Sequence, residues 1–281
     1  MRQRRALRQG AETFLIDRVA SDLTDRLSAI LRPFDRAADI GTPTDTIRRV
    51  LADRIARLVG VRPEVHDALR PVISADVEML PLADGALDLV VSALALQFVN
   101  DLPGTLVQIR RALKPDGLFL AALIGGDSLG ELRTAFAIAE AEVEGGASPR
   151  VVPFADLRDL GALLQRAGFA LPVADLDTVI VRYASVFKLM HDLRAMGATN
   201  ILSERSRRPL RRATLMRMAE VYAERFADAD GRVRATFDIV WLSGWAPHES
   251  QQQPLRPGSA KSRLADALGV PERPAGDKTG R

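Results

Sequence analysis

Cysteine is absent from the 281 residues, which excludes disulfides, a thiol nucleophile and a thiolate metal site. Histidine is nearly absent. His66, His191 and His248 stand far apart in the chain, so no multi-histidine metal centre is expected. No apolar run approaches the roughly 18 to 20 residues that cross a bilayer, so no membrane span is expected. Aromatic residues make up 5% of the chain and form no pattern for stacking nucleobases. Lysine occurs only at 114, 188, 261 and 278, and the other basic residues are arginine. The net charge of +3 is too small to mark a nucleic-acid-binding protein. What is present is ordinary for a globular protein: 47% apolar and 27% charged residues, in a length that suits one large α/β domain or two small ones.

The periodicities place the elements. Residues 11–31 carry Leu15, Val19, Leu23, Leu27, Ile30 and Leu31 at three- and four-residue steps, which predicts an amphipathic helix. RAADIG, ending in Asp39 and Gly41, reads as a buried strand. A helix is predicted over 44–58, capped at Thr44 or Asp45, with Ile55 and Leu58 inward. RLVGV (57–61), VISAD (72–76), DLVVSAL (88–94) and GLFLAALIG (117–125) read as further strands. A helix over 102–113 is predicted to stop at LKPDG, with Gly117 taking the left-handed turn. Helices at 128–143 and 155–167 follow, then strands at 173–183 and 233–242 around a helical, basic insertion at 185–227. Continuous apolar strands alternating with helices predict a mostly parallel sheet covered on both faces, with ligands bound beyond its carboxyl edge. The expected organisation is an N-terminal helix (1–32), a central domain (33–245) and an irregular tail (246–281) with one short helix at 260–268. The start, MRQRRALRQG, has four arginines but no serine, and it runs into the first helix pattern. It reads as a helix start, not a transit peptide, and a cytoplasmic location is expected.

The segment from SADVEMLPL to GGDSLGELR (74–133) and the tail GWAPHESQQQPLRPGSA (244–260) resemble the methyltransferase-fold family of complex I assembly factor 5. A more distant resemblance is to the carboxyl methyltransferase of biotin synthesis. The resemblance implies a Rossmann-like class I fold with a seven-stranded sheet, a last antiparallel strand and S-adenosylmethionine as cofactor. It also implies an acceptor that is a small molecule or a protein, with a respiratory complex subunit as candidate partner. Protein-arginine hydroxylation is the family's further activity, but the sequence shows no histidine and carboxylate cluster to serve it.

Carried onto this chain, the family's cofactor contacts fall on Asp39, Gly41 and Thr42 after the first strand and on Arg62 after the second. They continue on Asp76 and Val77 after the third strand, and on Ser92 and Leu94 after the fourth. Two positions depart from the pattern. Pro43 and Asp45 stand where the second and third glycines of the cofactor loop belong, and proline adds ring atoms and removes an N–H. Arg62, which can only donate, stands where a carboxylate normally accepts the ribose hydroxyls; Glu64 is the nearest acid that could replace it. Loss of such a charge-assisted bond costs about 1.5–3 kcal/mol, on the order of ten- to a hundredfold in affinity. S-adenosylmethionine is the expected cofactor, and these two departures leave weak or absent binding as the alternative. No catalytic residue and no metal ligand is assigned.

Other motifs have competing readings. Asp88 reads as structural, and Asn100-Asp101 as a helix cap. Gly125-Gly126-Asp127-Ser128 reads as a turn into a helix capped by Asp127, or as an acceptor contact. Arg205, Arg207, Arg208, Arg211, Arg212 and Arg217 form either a solvated face or a dock for an acidic partner. His191 reads as a partly buried structural histidine or as a base, and His248 belongs to the family-like tail. The functions left in balance are a methyltransferase with a degenerate glycine loop and a non-catalytic assembly or client-binding module.

Overall fold

The computed structural model describes residues 10–63, 71–252 and 269. The chain divides into two units, 1–247 and 248–281, and every element named below lies in the first. In the second unit, His248 Nδ1 lies 2.7 Å from Ser250 Oγ within a short turn. His66, Glu64 and the helix expected at 260–268 lie outside the described residues.

Helix α1 (Phe14–Ser28) buries Leu15, Ile16, Val19, Ala20, Leu23 and Leu27. Its stripe ends earlier than the spacing predicts. Ala29 caps the helix, and Leu31, expected inward, is fully exposed. Strand β1 (Phe34–Ile40) leads to helix α2 (Thr46–Leu51), which is far shorter than the predicted 44–58. Ile55 and Leu58 belong instead to β2 (Ile55–Arg62), because pairing beside β1 outweighs a helical spacing that both patterns satisfy. At the start of α2, the Thr46 N–H donates to Thr44 Oγ1 (3.4 Å), and Asp45 makes no cap bond.

Strands β3 (Val72–Ser74) and β4 (Leu87–Ala93) precede helix α3 (Leu102–Ala112), whose Asp101 accepts from the Gly104 N–H at 2.9 Å. Strand β5 (Leu113–Gly125) starts directly at the end of α3. Gly117 is not the left-handed residue; Asp116 is, at φ 61°. Gly117 is needed for space, since a Cβ there would lie 2.9 Å from the Lys114 carbonyl oxygen.

Helices α4 (Gly130–Glu144) and α5 (Leu157–Arg166), strand β6 (Ala170–Tyr183), helices α6 (Val186–Ala195) and α7 (Arg212–Phe226) and strand β7 (Val233–Trp245) complete the unit. Asp127 does not cap α4. The N-cap is Leu129, at φ 55°, and the turn is pinned by buried Asp238, which accepts from the Asp127 N–H (3.0 Å) and from Thr178 Oγ1 (2.7 Å). The insertion is helical only at its two ends. Left-handed Gly197 (φ 74°) and Pro209 bound an irregular stretch between α6 and α7.

The seven strands run in the order β3-β2-β1-β4-β5-β7-β6, with β7 antiparallel to both neighbours. This is the class I methyltransferase topology. Along β5, Leu118, Leu120, Ala122 and Ile124 enter the core under α1, α2, α4, α6 and α7, whereas Phe119, Ala121 and Leu123 enter the core under α3 and α5. Burial on both faces is why these strands are continuously apolar. The order reverses at β1, which pairs with β2 on one side and β4 on the other. A doubly wound sheet opens its ligand crevice at that point.

Candidate functional site

The carboxyl end of β1 is where the expected cofactor residues meet. The ladder continues one residue past the strand through Gly41 N–H to the Val61 carbonyl, at 2.8 Å. Gly41 then turns at φ +76°, and a Cβ there would lie 2.9 Å from Ala95 Cβ and 3.3 Å from Val77 Cγ1. The loop thus rests directly on the segments that follow β3 and β4. Gly41→Ala combines a left-handed penalty of about 1–2 kcal/mol with that contact, so a drop in stability of at least this size is expected in urea denaturation.

Two hydroxyls tie the loop to β4. The Ser92 hydroxyl donates to the Ile40 carbonyl (2.7 Å), and Thr42 Oγ1 accepts from the Ala93 N–H (3.0 Å) while donating to the Asp39 carboxylate. Ser92 and Thr42 are fully buried and spent on the scaffold, so neither offers a free group to a ligand.

Arg62 fills the gap between β1 and β2. Its Nη2 donates to Asp39 Oδ2 at 3.1 Å and its Nη1 to the Thr44 carbonyl at 3.4 Å; its Nε has no partner. Only 5% of Arg62 and 2% of Asp39 is exposed, so this is an interior ion pair. The strand register sets Asp39 opposite Gly60. Arg62 therefore folds back past Gly60, where a Cβ would stand 2.8 Å from Nη2. Gly60 is the residue that sequence reasoning missed; a glycine inside a strand, two residues before an unexpected arginine, is its only signal. Burial raises the Asp39 carboxyl above the usual carboxylate range, while Arg62 and the Thr42 hydroxyl pull it back. Burial lowers the Arg62 guanidinium, and Asp39 opposes that.

Asp76 lies past the end of β3, on the surface. It serves its own turn, accepting from the Glu78 N–H at 3.0 Å on its side chain and from the Met79 N–H at 3.1 Å on its carbonyl. Leu94 is held left-handed at φ 52° between two bonds. Its N–H donates to the Ala122 carbonyl, and its carbonyl accepts from Gln97 Nε2, each at 2.8 Å. Leu94, Gln97, Pro43 and Thr44 line a mainly apolar cavity of about 130 Å³.

The structure therefore gathers Asp39, Gly41, Thr42, Arg62, Val77 and Ser92 around one loop, places Asp76 beyond it and turns Leu94 to the cavity. A nucleoside held in the family's manner needs an acceptor at the end of β2. Here the end of β2 carries a donor already bonded to Asp39. These residues do not fit S-adenosylmethionine in that manner.

The remaining motifs are structural or solvent-facing. Asp88 accepts from the Arg36 N–H (2.9 Å) and Lys114 Nζ (2.7 Å). His191 is exposed, which corrects its expected partial burial. Arg205, Arg207, Arg208, Arg211 and Arg212 are exposed, and Arg217 pairs with Glu142 at 2.6 Å. No described helix is long and apolar enough to cross a membrane.

Residues 38–121 match a family described as a methyltransferase domain. The chain is 37% identical over 262 residues to the arginine-hydroxylase NDUFAF5, mitochondrial, of Danio rerio, covering 90% of this chain and 81% of that protein. It is 39% identical over 187 residues to the malonyl-[acyl-carrier protein] O-methyltransferase of Laribacter hongkongensis, covering 66% of this chain and 60% of the relative. A solved Bacillus halodurans protein proposed to be a methyltransferase superposes with a TM-score of 0.55 at 16% identity, covering 81% of this chain and 100% of that one, which concerns the fold alone. The cytoplasmic location expected from the sequence is overturned here, because relatives similar over nine tenths of the chain are mitochondrial proteins. That expectation rested on reading the arginine-rich start as helix, and residues 1–9 lie outside the described ones.

Proposed function

Because the chain belongs to the NDUFAF5 family of methyltransferase-fold proteins, we propose that it serves assembly of a respiratory complex I by binding a client subunit, with the nucleoside side of its crevice closed. The single observation that carries this reading is the interior Arg62–Asp39 pair at 3.1 Å. Arg62 supplies from within the chain the donor that the Asp39 carboxylate would otherwise take from a ligand. Removing a ligand's acceptor while keeping the scaffold around it leaves a rigid sheet edge that can still present a binding surface.

Isothermal titration of the full chain with S-adenosylmethionine is the direct test, and no heat is expected up to high micromolar cofactor. Binding in the low micromolar range would overturn the closed-crevice reading. The assembly role is tested separately, by affinity capture from the native organism followed by mass spectrometry. A complex I subunit is expected to co-purify, and its absence would remove the role. A client that gains a methyl or hydroxyl group only when this chain is present would replace binding by catalysis.

A further inference from the structure

The two edges of the sheet are protected unequally. At one edge, β3 is only three residues long, which leaves little to pair with. At the other, β6 runs for 14 residues and pairs with β7 on one side only. A strand in that position presents a row of unpaired N–H and C=O groups to any strand that can reach it. Four of the ten large apolar residues exposed among the described ones lie on β6, so exposed apolar surface is concentrated there. They are Leu171, Val173, Leu176 and Ile180, each about half exposed.

The usual defences of an edge are weak on β6. Left-handed Leu171 (φ 49°) and Pro172 interrupt only its start, and from Val173 to Tyr183 the register with β7 runs without a shift. Its charged side chains are neutralised from within the chain. Asp175 pairs with Arg26 at 2.8 Å and Asp177 with Arg18 at 3.0 Å, while Arg182 pairs with Asp228 at 2.6 Å and Asp230 at 2.7 Å. Side chains alternate between the two faces. Asp175 and Asp177 turn to the face of α1, whose arginines hold them. Ala174, Leu176, Thr178 and Ile180 share the other face. Helix α5 covers that face at Ala174, whose Cβ would lie 3.6 Å from a Cβ at Gly161, but Leu176, Thr178 and Ile180 stay exposed.

We propose that β6 is a dimerisation edge, pairing antiparallel with β6 of a second copy of this chain about a two-fold axis at Thr178. Thr178 is the midpoint of the unshifted stretch Val173–Tyr183, so this register pairs the whole stretch with itself and forms about ten to twelve backbone hydrogen bonds. An axis perpendicular to the sheet keeps each face on its own side. Leu176 of each copy then stands opposite Ile180 of the other, and the two Thr178 side chains stand together at the axis. No like charges meet: Asp175 faces Val181, Asp177 faces Val179 and Arg182 faces Ala174. Neighbouring registers lack this match. Centred on Leu176 or on Asp177, they set carboxylate against carboxylate, and centred on Val179 they set Leu176 against Arg182. This self-complementarity is what selects a second copy as the occupant. The assembly also closes, because only the two short β3 edges remain once both β6 edges are used.

The absence of cysteine makes the register directly testable, since a single introduced cysteine can bond only to its counterpart in another copy. Light scattering on the full chain at tens of micromolar is expected to give twice the chain mass. Under mild oxidation, Thr178→Cys is expected to cross-link into a covalent dimer, because opposed residues stand about 4.5–5.5 Å apart between Cα atoms, within the reach of a disulfide. Leu176→Cys is expected not to cross-link, because its counterpart lies four residues along, about 14 Å away. Ile180→Lys is expected to weaken the dimer at least about tenfold while the far-ultraviolet circular dichroism shows an intact fold. A parent that stays monomeric at these concentrations overturns the proposal. So does a dimer that Ile180→Lys leaves unchanged, which would use another face. Cross-linking of Leu176→Cys as readily as Thr178→Cys overturns the register. A monomeric parent whose capture of a client is lost in Ile180→Lys would give the edge to a client strand and not to a second copy. None of these outcomes depends on the cofactor titration, so the dimer and the closed crevice can fail separately.

Discussion

Replacing Arg62 by methionine is expected to lower stability by about 3–5 kcal/mol, because it leaves the Asp39 carboxylate buried without its counter-charge. The measurement is the urea midpoint at neutral pH with the transition slope unchanged. Asp39→Asn in the same chain is expected to recover much of that loss, since the doubly substituted interior carries no unpaired charge. The coupling in this double-mutant cycle measures the pair directly, and additive losses would mean that the two side chains do not depend on each other. The pH dependence has a definite sign. Burial already raises the Asp39 carboxyl in the folded chain. Without Arg62 it rises further, so the folded state holds more protons than the unfolded one. Stability of Arg62→Met then falls as pH climbs from the unfolded pKa, about 3.9, through the folded one, and its deficit against the parent shrinks in mild acid. A deficit that is constant with pH would show that Asp39 is not the group left stranded. For the same reason, restoring the family pattern with Pro43→Gly, Asp45→Gly and Arg62→Asp is not expected to restore cofactor binding. The new carboxylate would stand beside Asp39 in a closed interior, and the cost would fall on stability.

Trp241→Ala is the second large effect, expected at about 3–5 kcal/mol. Trp241 is among the largest fully enclosed side chains, near the middle of β7, and Arg26 of α1 lies over its ring at 4.4 Å while pairing with Asp175 at 2.8 Å. The ring thus fills the core and supports the arginine that fastens α1 to the sheet. Leu15 and Ile16 at the start of the same helix form part of the cavity wall. Trp241→Phe is expected to cost much less, because the indole N–H has no partner to lose. Equal losses for the two substitutions would show that the N–H, not the ring, is what the fold needs.

The fold was largely legible because its signal is redundant. In ADIG, DLVV and FLAALI, burial on both faces makes the strands apolar apart from Asp39 and Asp88 near their ends, and that pattern survives an error of several residues at either end. The same redundancy misled at 44–58, where Ile55 and Leu58 satisfy helix and strand spacings alike and only the register against β1 decides. Leu129 and Asp116 could not be recognised as left-handed residues, since the structure around them, not their own preference, imposes the conformation.

For the site, the sequence by itself determined which residues reach the carboxyl edge and that Arg62, Pro43 and Asp45 break a nucleoside-binding pattern. Position along a strand fixes where a side chain emerges, and residue chemistry fixes whether it can donate or accept. Only the tertiary structure decided what those changes accomplish. It turned Arg62 back across Gly60 onto Asp39, spent Ser92 and Thr42 on the scaffold, left Asp76 to its own turn and set Pro43 against a cavity built from α1, α4 and β7. Which partner a polar group finds, and which space a ring fills, depends on segments far apart in the chain, and no local pattern records that.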